Sequence, residues 1–130
     1  MVHAGLYQFL REMVSGTLYT AFCHSYLGDV AWPLQTTQFT GDYAFLRDYG
    51  AEMLVETARV FADVGGFAEC RGGKYCICAV TGPDEYNAIV DNNLYTNLLA
   101  QENLYAALRS LEILGDDADR LNITDEEKAF

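Results

Sequence analysis

The fold is decided by residues 91–114, which read DNNLYTNLLAQENLYAALRSLEIL. Apolar side chains recur there at helical spacing, as they do along one face of an amphipathic α-helix. Asp91 is the expected N-cap, and Gly115 follows the last apolar residue as a stop. The stretch therefore predicts a long helix with one apolar stripe, formed by Leu94, Leu98, Tyr105, Leu108 and Leu111.

The segments around this helix predict further elements. Residues 43–64 show a second helical pattern, and the glycines of VGGFAE end it. Residues 67–80 predict a small hairpin that turns at Gly72-Gly73 and has a buried second strand. Residues 123–130 predict a helix that Thr124 and Glu127 would cap together. Pro33 lies either in the first turn of a helix or at a kink within one. The apolar positions of the second helix are Leu46, Tyr49, Met53, Leu54, Ala58, Phe61 and Val64.

Composition excludes several classes of function. The chain has 130 residues and a formal net charge of −11, so nucleic acid and anionic membrane surfaces are not expected partners. No apolar run approaches the roughly 20 residues of a membrane span, and no basic segment precedes the first apolar stretch as in a secretory signal. The four cysteines are expected to be reduced and buried, with a disulfide or a metal site as alternatives. A cytoplasmic location is the expectation.

A carboxyl group on a rigid turn is the first candidate for chemistry. Residues 81–90 read TGPDEYNAIV, so Glu85 follows a turn fixed by Pro83. If its surroundings raise its pKa, such a group can give a proton to a leaving oxygen near neutral pH. The neighbouring Asp84 would order the loop, and its negative charge would help Glu85 to keep that proton.

The amides that follow the loop are the second candidate. Asn93 and Asn97 are four residues apart and share a helix face, as do Asn92 and Thr96. A carboxamide carries both donor and acceptor groups, which match the hydroxyls of a sugar. Tyr95 could add an aromatic wall. Helix capping and ordinary turn chemistry explain the same residues without any ligand, so both interpretations stay open on residue types alone.

The segment TGPDEYNAIVDNNLYTNLLAQENL resembles the catalytic-acid segment of glycoside hydrolase family 65. Members of that family show Gly-Pro-Asp-Glu-Tyr or -Phe and then Asn-Asn-x-Tyr-Thr-Asn. The upstream stretch TGDYAFLRDYGAEMLVETARVFADV is also similar to the family, and so is GKYCICAV before the loop. The resemblance covers residues 36–111. The family includes maltose, kojibiose, nigerose and trehalose phosphorylases, with some trehalases and related α-glucosidases.

The resemblance implies an inverting reaction on an α-linked glucose disaccharide. Its general acid falls on Glu85, and its other motif positions, taken as substrate contacts, fall on Asp84, Asn92, Asn93, Tyr95 and Asn97. Among these, Asn93 and Asn97 are the favoured sugar contacts. Inorganic phosphate would attack as co-substrate in a phosphorylase, whereas activated water would attack in a trehalase-like hydrolase. A non-catalytic sugar-binding or scaffold role is a third possibility. No metal and no organic cofactor are implied, and the expected partner is a small α-glucoside. Asn87 departs from the family, which often has His there.

The resemblance also implies the fold, a barrel of twelve helices of the (α/α)₆ type. A chain of 130 residues holds only about four to six helices of average length. We therefore expect residues 1–130 to be a fragment of one mainly α catalytic domain, inactive alone, with a short hairpin before the catalytic loop. Uncovered apolar helix faces would favour self-association. Two other carboxylates, Glu52 and Glu56, are interpreted as part of a solvated helix face.

Overall fold

The computed structural model describes residues 31–80 and 89–129. Its helices and its short antiparallel hairpin confirm the mainly α prediction. Within these ranges no helix has both the length and the apolar character needed to cross a membrane. The α-helices are α1 (Trp32–Thr40), α2 (Ala51–Val64), α3 (Leu94–Leu114) and α4 (Asp125–Ala129), and the strands are β1 (Gly66–Ala68) and β2 (Lys74–Cys76). Two 3₁₀ segments, Glu69–Arg71 and Gly115–Leu121, a short α-helical turn, Tyr43–Phe45, and a π-helical segment, Leu46–Gly50, complete the described elements.

Helix α1 shows that the first-turn alternative for the proline was correct. Pro33 lies at the start of α1, where its missing N–H costs nothing and its fixed φ suits the helix. The helix ends at Gly41, whose left-handed φ of 74° allows its N–H to donate to the Thr37 carbonyl at 2.8 Å. The chain then turns directly into the next helical segment.

Residues 43–64 are helical throughout, as predicted, but the helix is not regular. A short α-helical turn, Tyr43–Phe45, is capped by the Asp42 carboxylate and passes through a π-helical segment, Leu46–Gly50, into α2. The π segment places one additional residue in its turn. Buried Leu46 is followed on the core face by buried Gly50 and Ala51, four and five residues later.

This change of phase corrects two predicted core positions. Tyr49 and Met53 are 66% and 44% exposed, whereas Leu54 and Phe61 are buried as predicted. The prediction assumed a regular period of 3.6 residues for the whole segment. The π turn changes the relative direction of the side chains before and after it, so that period does not hold across the turn.

The hairpin confirms the predicted turn at Gly72-Gly73. Phe67 pairs with Tyr75 in the antiparallel register. The Tyr75 hydroxyl forms hydrogen bonds to the carbonyl oxygens of Phe61 and Ala62, at 2.8 and 2.9 Å. These carbonyls belong to the last turn of α2, which lacks partners of its own. Tyr75 thus fastens the hairpin to the end of α2, and a Cβ at Gly65 would overlap its ring.

Helix α3 begins later than predicted, and it buries a different face from the predicted one. Its N-cap is Asn93, whose Oδ1 accepts from the Thr96 N–H at 3.3 Å; the expectation of Asp91 as N-cap was wrong. The predicted apolar stripe is largely exposed, with Leu94 at 72% and Tyr105 at 62%. Only Leu111 of that stripe packs partly against the core.

The buried face of α3 carries small or polar side chains, which allow α2 to approach closely. The predicted face was chosen from the large apolar residues of the segment, whereas the buried face consists of small and polar ones, so the prediction was wrong. The buried residues of α3 are Thr96, Ala100, Asn103, Ala106, Ala107 and Ser110.

Two apolar clusters form the core of the described part of the chain. The larger one joins α1, α2 and α3 and includes Leu34, Leu46, Leu54 and Leu121. The smaller one consists of Phe61, Ile77, Val80 and Ala100. It lies under the end of the hairpin, so it positions the segment that leads into residues 81–88.

The predicted capping box at the start of α4 is confirmed. The Thr124 hydroxyl accepts from the Glu127 N–H at 3.2 Å, and the Glu127 carboxylate accepts from the Thr124 N–H at 2.8 Å. Two N–H groups that lack partners in the first turn are satisfied by this exchange.

Candidate functional site

The predicted acid, Glu85, and its neighbour Asp84 lie outside the described residues, but both ends of their loop are described. Val80 and Val90 form an antiparallel bridge with two short hydrogen bonds, from Val80 N to Val90 O at 2.9 Å and from Val90 N to Val80 O at 2.8 Å. The two residues that flank the segment 81–89 therefore lie next to each other.

Two side chains from the amide-rich segment strengthen this junction. The Asn92 N–H donates to the Ile77 carbonyl at 2.8 Å, and the Asn92 side-chain oxygen accepts from the Ile77 N–H at 3.2 Å. The Asp91 carboxylate accepts from the Ala79 N–H at 3.1 Å. We refer to Ile77, Ala79, Val80, Val90, Asp91 and Asn92 as the loop clamp.

The conformation of the clamp explains why an asparagine stands at position 92. Asn92 has a φ of 55°, in the left-handed region that asparagine enters more easily than most residues. In that conformation both its backbone N–H and its side-chain oxygen reach Ile77. Ile77 and Val80 belong to the smaller apolar cluster, against which Val90 also packs. The clamp is therefore held by apolar packing as well as by its hydrogen bonds.

The structure separates the residues predicted to bind sugar into two groups. Asn92 and Asn97 line the same cavity of 390 Å³, together with Tyr75. Asn97 also lines a groove of 980 Å³ between α2 and α3. Asn93 and Tyr95 line neither of these two spaces, and Tyr95 is 37% exposed.

Asn97 is the predicted contact whose side chain has the clearest capacity for a ligand. Its Oδ1 is buried and has no hydrogen-bond partner in the described part of the chain. A buried acceptor without a donor is costly, so a hydroxyl or another donor placed in the cavity would satisfy it. The side-chain oxygens of Asn92 and Asn93 are already engaged with backbone N–H groups, which leaves their amide NH₂ groups as donors.

The smaller cavity is also cationic, although the chain as a whole is acidic. Arg71 and Lys74 line it, and over the described ranges neither lies within ion-pair distance of a carboxylate. Beside it, the pKa of the Cys78 thiol is raised, first by partial loss of solvent and then by the negative charge of Asp91.

The interpretation of Glu56 as a solvated carboxylate was wrong. Its side chain is 2% exposed and pairs with the Arg59 guanidinium at 2.6 Å, while Glu52 is half-buried. Arg59 also binds Glu127 of α4 at 2.7 Å. Helical periodicity alone does not show that the C-terminal segment covers the side of α2 that carries Glu56. The arginine three residues later was the available signal of an ion pair there.

We refer to Glu56, Arg59, Thr124 and Glu127 as the charged network. The hydrogen bond to Glu127 is the main reason that the pKa of Arg59 is raised. The hydrogen bond to Arg59 is likewise the main reason that the pKa of Glu127 is lowered. The network therefore ties α2 to α4 through charge.

The expectation of buried thiols holds for one of the three described cysteines. Cys76 is buried, whereas Cys70 and Cys78 are exposed, and all three are free. Strand β2 ends at Cys76, so the side chain of Cys78 is not covered as a further strand residue would be. Cys23 lies outside the described residues.

Residues 17–129 match the family model described as "Glycosyl hydrolase family 65 central catalytic domain". The chain belongs to glycosyl hydrolase family 65. The central domain of this family is an (α/α)₆ barrel, and the helices and hairpin described above are part of that architecture. The motif resemblance is thereby confirmed at the level of the family.

Characterised relatives share two fifths or more of their matched residues with this chain. An α,α-trehalose phosphorylase of Thermoanaerobacter brockii is 43% identical over 108 residues, which are 76% of this chain. An α,α-trehalose phosphorylase of Geobacillus stearothermophilus is 46% identical over 110 residues, or 78% of the chain. A 1,2-α-glucosylglycerol phosphorylase of Bacillus selenitireducens is 40% identical over 105 residues, or 76%. The chain spans 14% of the length of each of these three relatives.

Proposed function

We propose that this chain supplies the general-acid segment of an inverting α-glucoside phosphorylase, with Glu85 as the acid. The observation that carries the proposal is the identity of 43% and 46% with two α,α-trehalose phosphorylases across the segment that contains the loop. The α-glucoside is a small molecule, inorganic phosphate is the co-substrate, and no metal or organic cofactor takes part.

The described geometry supports an acid on this loop. The bridge between Val80 and Val90 holds together the two residues from which the loop starts and to which it returns. General acid catalysis requires a proton donor held within hydrogen-bond reach of the leaving oxygen. A loop with a fixed base reduces the freedom that must be lost when substrate binds.

The proposed reaction exchanges one bond at the anomeric carbon for another. The bond from the anomeric carbon to the leaving oxygen breaks while a phosphate oxygen forms a new bond from the opposite face. The Glu85 proton moves to the leaving oxygen, and Glu85 later regains a proton from solvent. The products are β-glucose 1-phosphate and the free acceptor, and the anomeric configuration is inverted.

The substrate contacts are proposals of different strength. Asn97 is the favoured one, because its buried oxygen lacks a partner within the described ranges and the residue lines both cavities. Asn92 and Asn93 could contribute only their NH₂ donors, since their oxygens bind backbone N–H groups. Asp84 and Tyr95 remain candidates from the motif. A cytoplasmic location and self-association through exposed helix faces remain predictions.

The test uses the protein made from its complete reading frame and the variant Glu85→Gln. Trehalose, maltose and glucosylglycerol are incubated with and without phosphate, and the anomer of the product is followed by NMR. We expect phosphate-dependent release of the β-anomer and a loss of about 10²–10⁴-fold in kcat/KM for the variant.

Glu102→Gln is the matched control, because Glu102 is an exposed carboxylate on α3, and it should behave as the wild type. An undiminished rate in Glu85→Gln would remove the acid role. Cleavage that does not need phosphate would instead assign the trehalase-like hydrolysis.

A further inference from the structure

We propose that Asn92 is a positioning residue for the general acid rather than a sugar ligand, and that it acts by holding the base of the loop at Ile77. The inference rests on the proposed function of Glu85. It gives a mechanical reason for the amide cluster, which the motif by itself assigned to substrate.

The first argument is that Asn92 satisfies both polar backbone groups of one residue. Its N–H donates to Ile77 O and its side-chain oxygen accepts from Ile77 N. In a regular antiparallel pair, the backbone N–H and C=O of the opposite residue make both of these bonds. Here the side-chain oxygen of Asn92, whose φ is 55°, takes the place of the backbone carbonyl, so the strand-like pairing continues beyond the Val80–Val90 bridge.

The second argument is that Ile77 is not free to follow the loop. It is 3% exposed and packs in the smaller apolar cluster with Phe61 and Ala100. A hydrogen bond to a buried, packed residue transmits that fixed position to the partner. Without the side chain of Asn92, the Ile77 N–H would lose its acceptor in a partly buried setting, which costs more than a hydrogen bond at the surface.

The third argument concerns the sequence distance from the clamp to the acid. Glu85 lies five residues after Val80 and five before Val90, so it is at the centre of the closed loop. The position of a central residue depends on both ends together. A shift of about 1 Å at a catalytic group can cost about 10²-fold in rate, so the proposal predicts a loss of up to that size when the clamp is released.

Two variants separate the side chain from the backbone at this position. Asn92→Gly keeps access to the left-handed conformation but removes the acceptor for Ile77 N–H. Asn92→Asp keeps the acceptor and should restore most of the rate. The matched control is Asn122→Gly, because Asn122 is also left-handed, with a φ of 50°, but lies after the second 3₁₀ segment, where its hydrogen bonds are to Asp119, Arg120 and Arg59.

The kinetic readout uses the complete protein and two donors, a natural disaccharide and α-glucosyl fluoride, whose leaving group needs no acid. We expect Asn92→Gly to lower kcat for the disaccharide by about 10–100-fold, with KM changed less than about 3-fold. The loss should be much smaller for the fluoride, and Asn122→Gly should match the wild type on both donors.

A second readout does not depend on activity. Amide hydrogen exchange at Ile77 should accelerate in Asn92→Gly and not in Asn122→Gly. If Asn92→Gly fails to fold, Asp91→Ala removes the neighbouring bond to the Ala79 N–H and is carried through the same measurements, with a smaller loss expected.

The outcomes distinguish this inference from the proposed function. If Glu85→Gln leaves disaccharide cleavage intact, the acid assignment itself fails. If Glu85→Gln is impaired while Asn92→Gly equals the control, only the positioning role fails. A rise in KM with unchanged kcat, or equal losses on both donors, would identify Asn92 as a sugar ligand and overturn the inference. When Glu85→Gln and Asn92→Gly are combined, no further loss is expected on the disaccharide.

Discussion

The loop clamp and the charged network each hold the chain where it enters a helix, but they use different chemistry. At the start of α3, short polar side chains bind backbone groups at 3.1–3.3 Å. At the start of α4, a guanidinium binds two carboxylates at 2.6 and 2.7 Å. Of the two, only the first lies beside the loop that carries the candidate acid.

This difference suggests a division between pH-independent and pH-dependent anchoring. Bonds from neutral amides to backbone groups are insensitive to salt and to pH near neutrality. Ion pairs depend on the charge of both partners and weaken with salt when exposed. The amide bonds of the loop clamp are therefore expected to hold the ends of the loop in place over the pH range in which the candidate acid would exchange protons.

The largest effect is expected from Glu56→Ala. Glu56 is 2% exposed, and breaking a buried ion pair by removing one partner costs about 3–5 kcal/mol. Because Arg59 keeps Glu127, we expect about 3 kcal/mol, the lower end of that range. Urea unfolding at neutral pH measures it, with the exposed Glu102→Ala as control. Equal midpoints for the two variants would mean that the network contributes little.

A smaller effect is expected from Tyr75→Phe, which tests the anchor on the hairpin side. The variant removes the hydroxyl that binds the Phe61 and Ala62 carbonyls, at a cost of about 1 kcal/mol. Loss of solvent contact is the main cause of the raised pKa of Tyr75, so the neutral hydroxyl is favoured in the folded state.

The pH dependence of this hydroxyl follows from the same shift. Its contribution is complete below pH 10, the ordinary pKa of tyrosine, and declines as the pH rises through the higher pKa of the folded state. Unfolding measured from pH 8 to 11 should show a steeper alkaline decline in the wild type than in Tyr75→Phe. Parallel curves would contradict this account.

The smallest effect is expected from Glu127→Gln. The Glu127 side chain is 37% exposed, so its ion pair should be worth about 0.5 kcal/mol at neutral pH. Its pKa is lowered below the ordinary value of 4.5. The contribution is therefore present above that pH and is lost as the pH falls through the lower pKa of the folded state.

Acid titration of stability distinguishes the two regions directly. Between pH 6 and 3 the wild type should lose more stability than Glu127→Gln, whereas Asn92→Gly should decline in parallel with the wild type. A change of acid slope in Asn92→Gly would show that the loop clamp is not independent of charge.

The elements were predictable from sequence where local chemistry decides them. The turn at Gly72-Gly73, the capping box of Thr124 and Glu127, and Pro33 in the first turn of α1 each depend on residues close together in the chain. The GPDEY motif likewise identified the family. These features need no knowledge of what packs against them.

The details that depend on packing were not predictable from a periodic pattern. Ala106 and Ala107 are buried while Leu98 and Leu108 are exposed, because close approach of α2 and α3 favours small side chains. The hydrogen bond between the Asn92 side chain and the Ile77 N–H, fifteen residues earlier, follows from no local rule. Long-range partners of this kind become visible only in the folded chain.

The π-helical segment Leu46–Gly50 has a consequence for how this region can diverge. Deleting one of its residues would restore a regular α-helix but would rotate everything upstream by about 100° relative to α2. Leu46 would then leave the core that Leu54 and Ala51 define. This stretch should therefore tolerate exchanges of side chain far better than changes of length, so alignments that open a gap here would misplace Leu46.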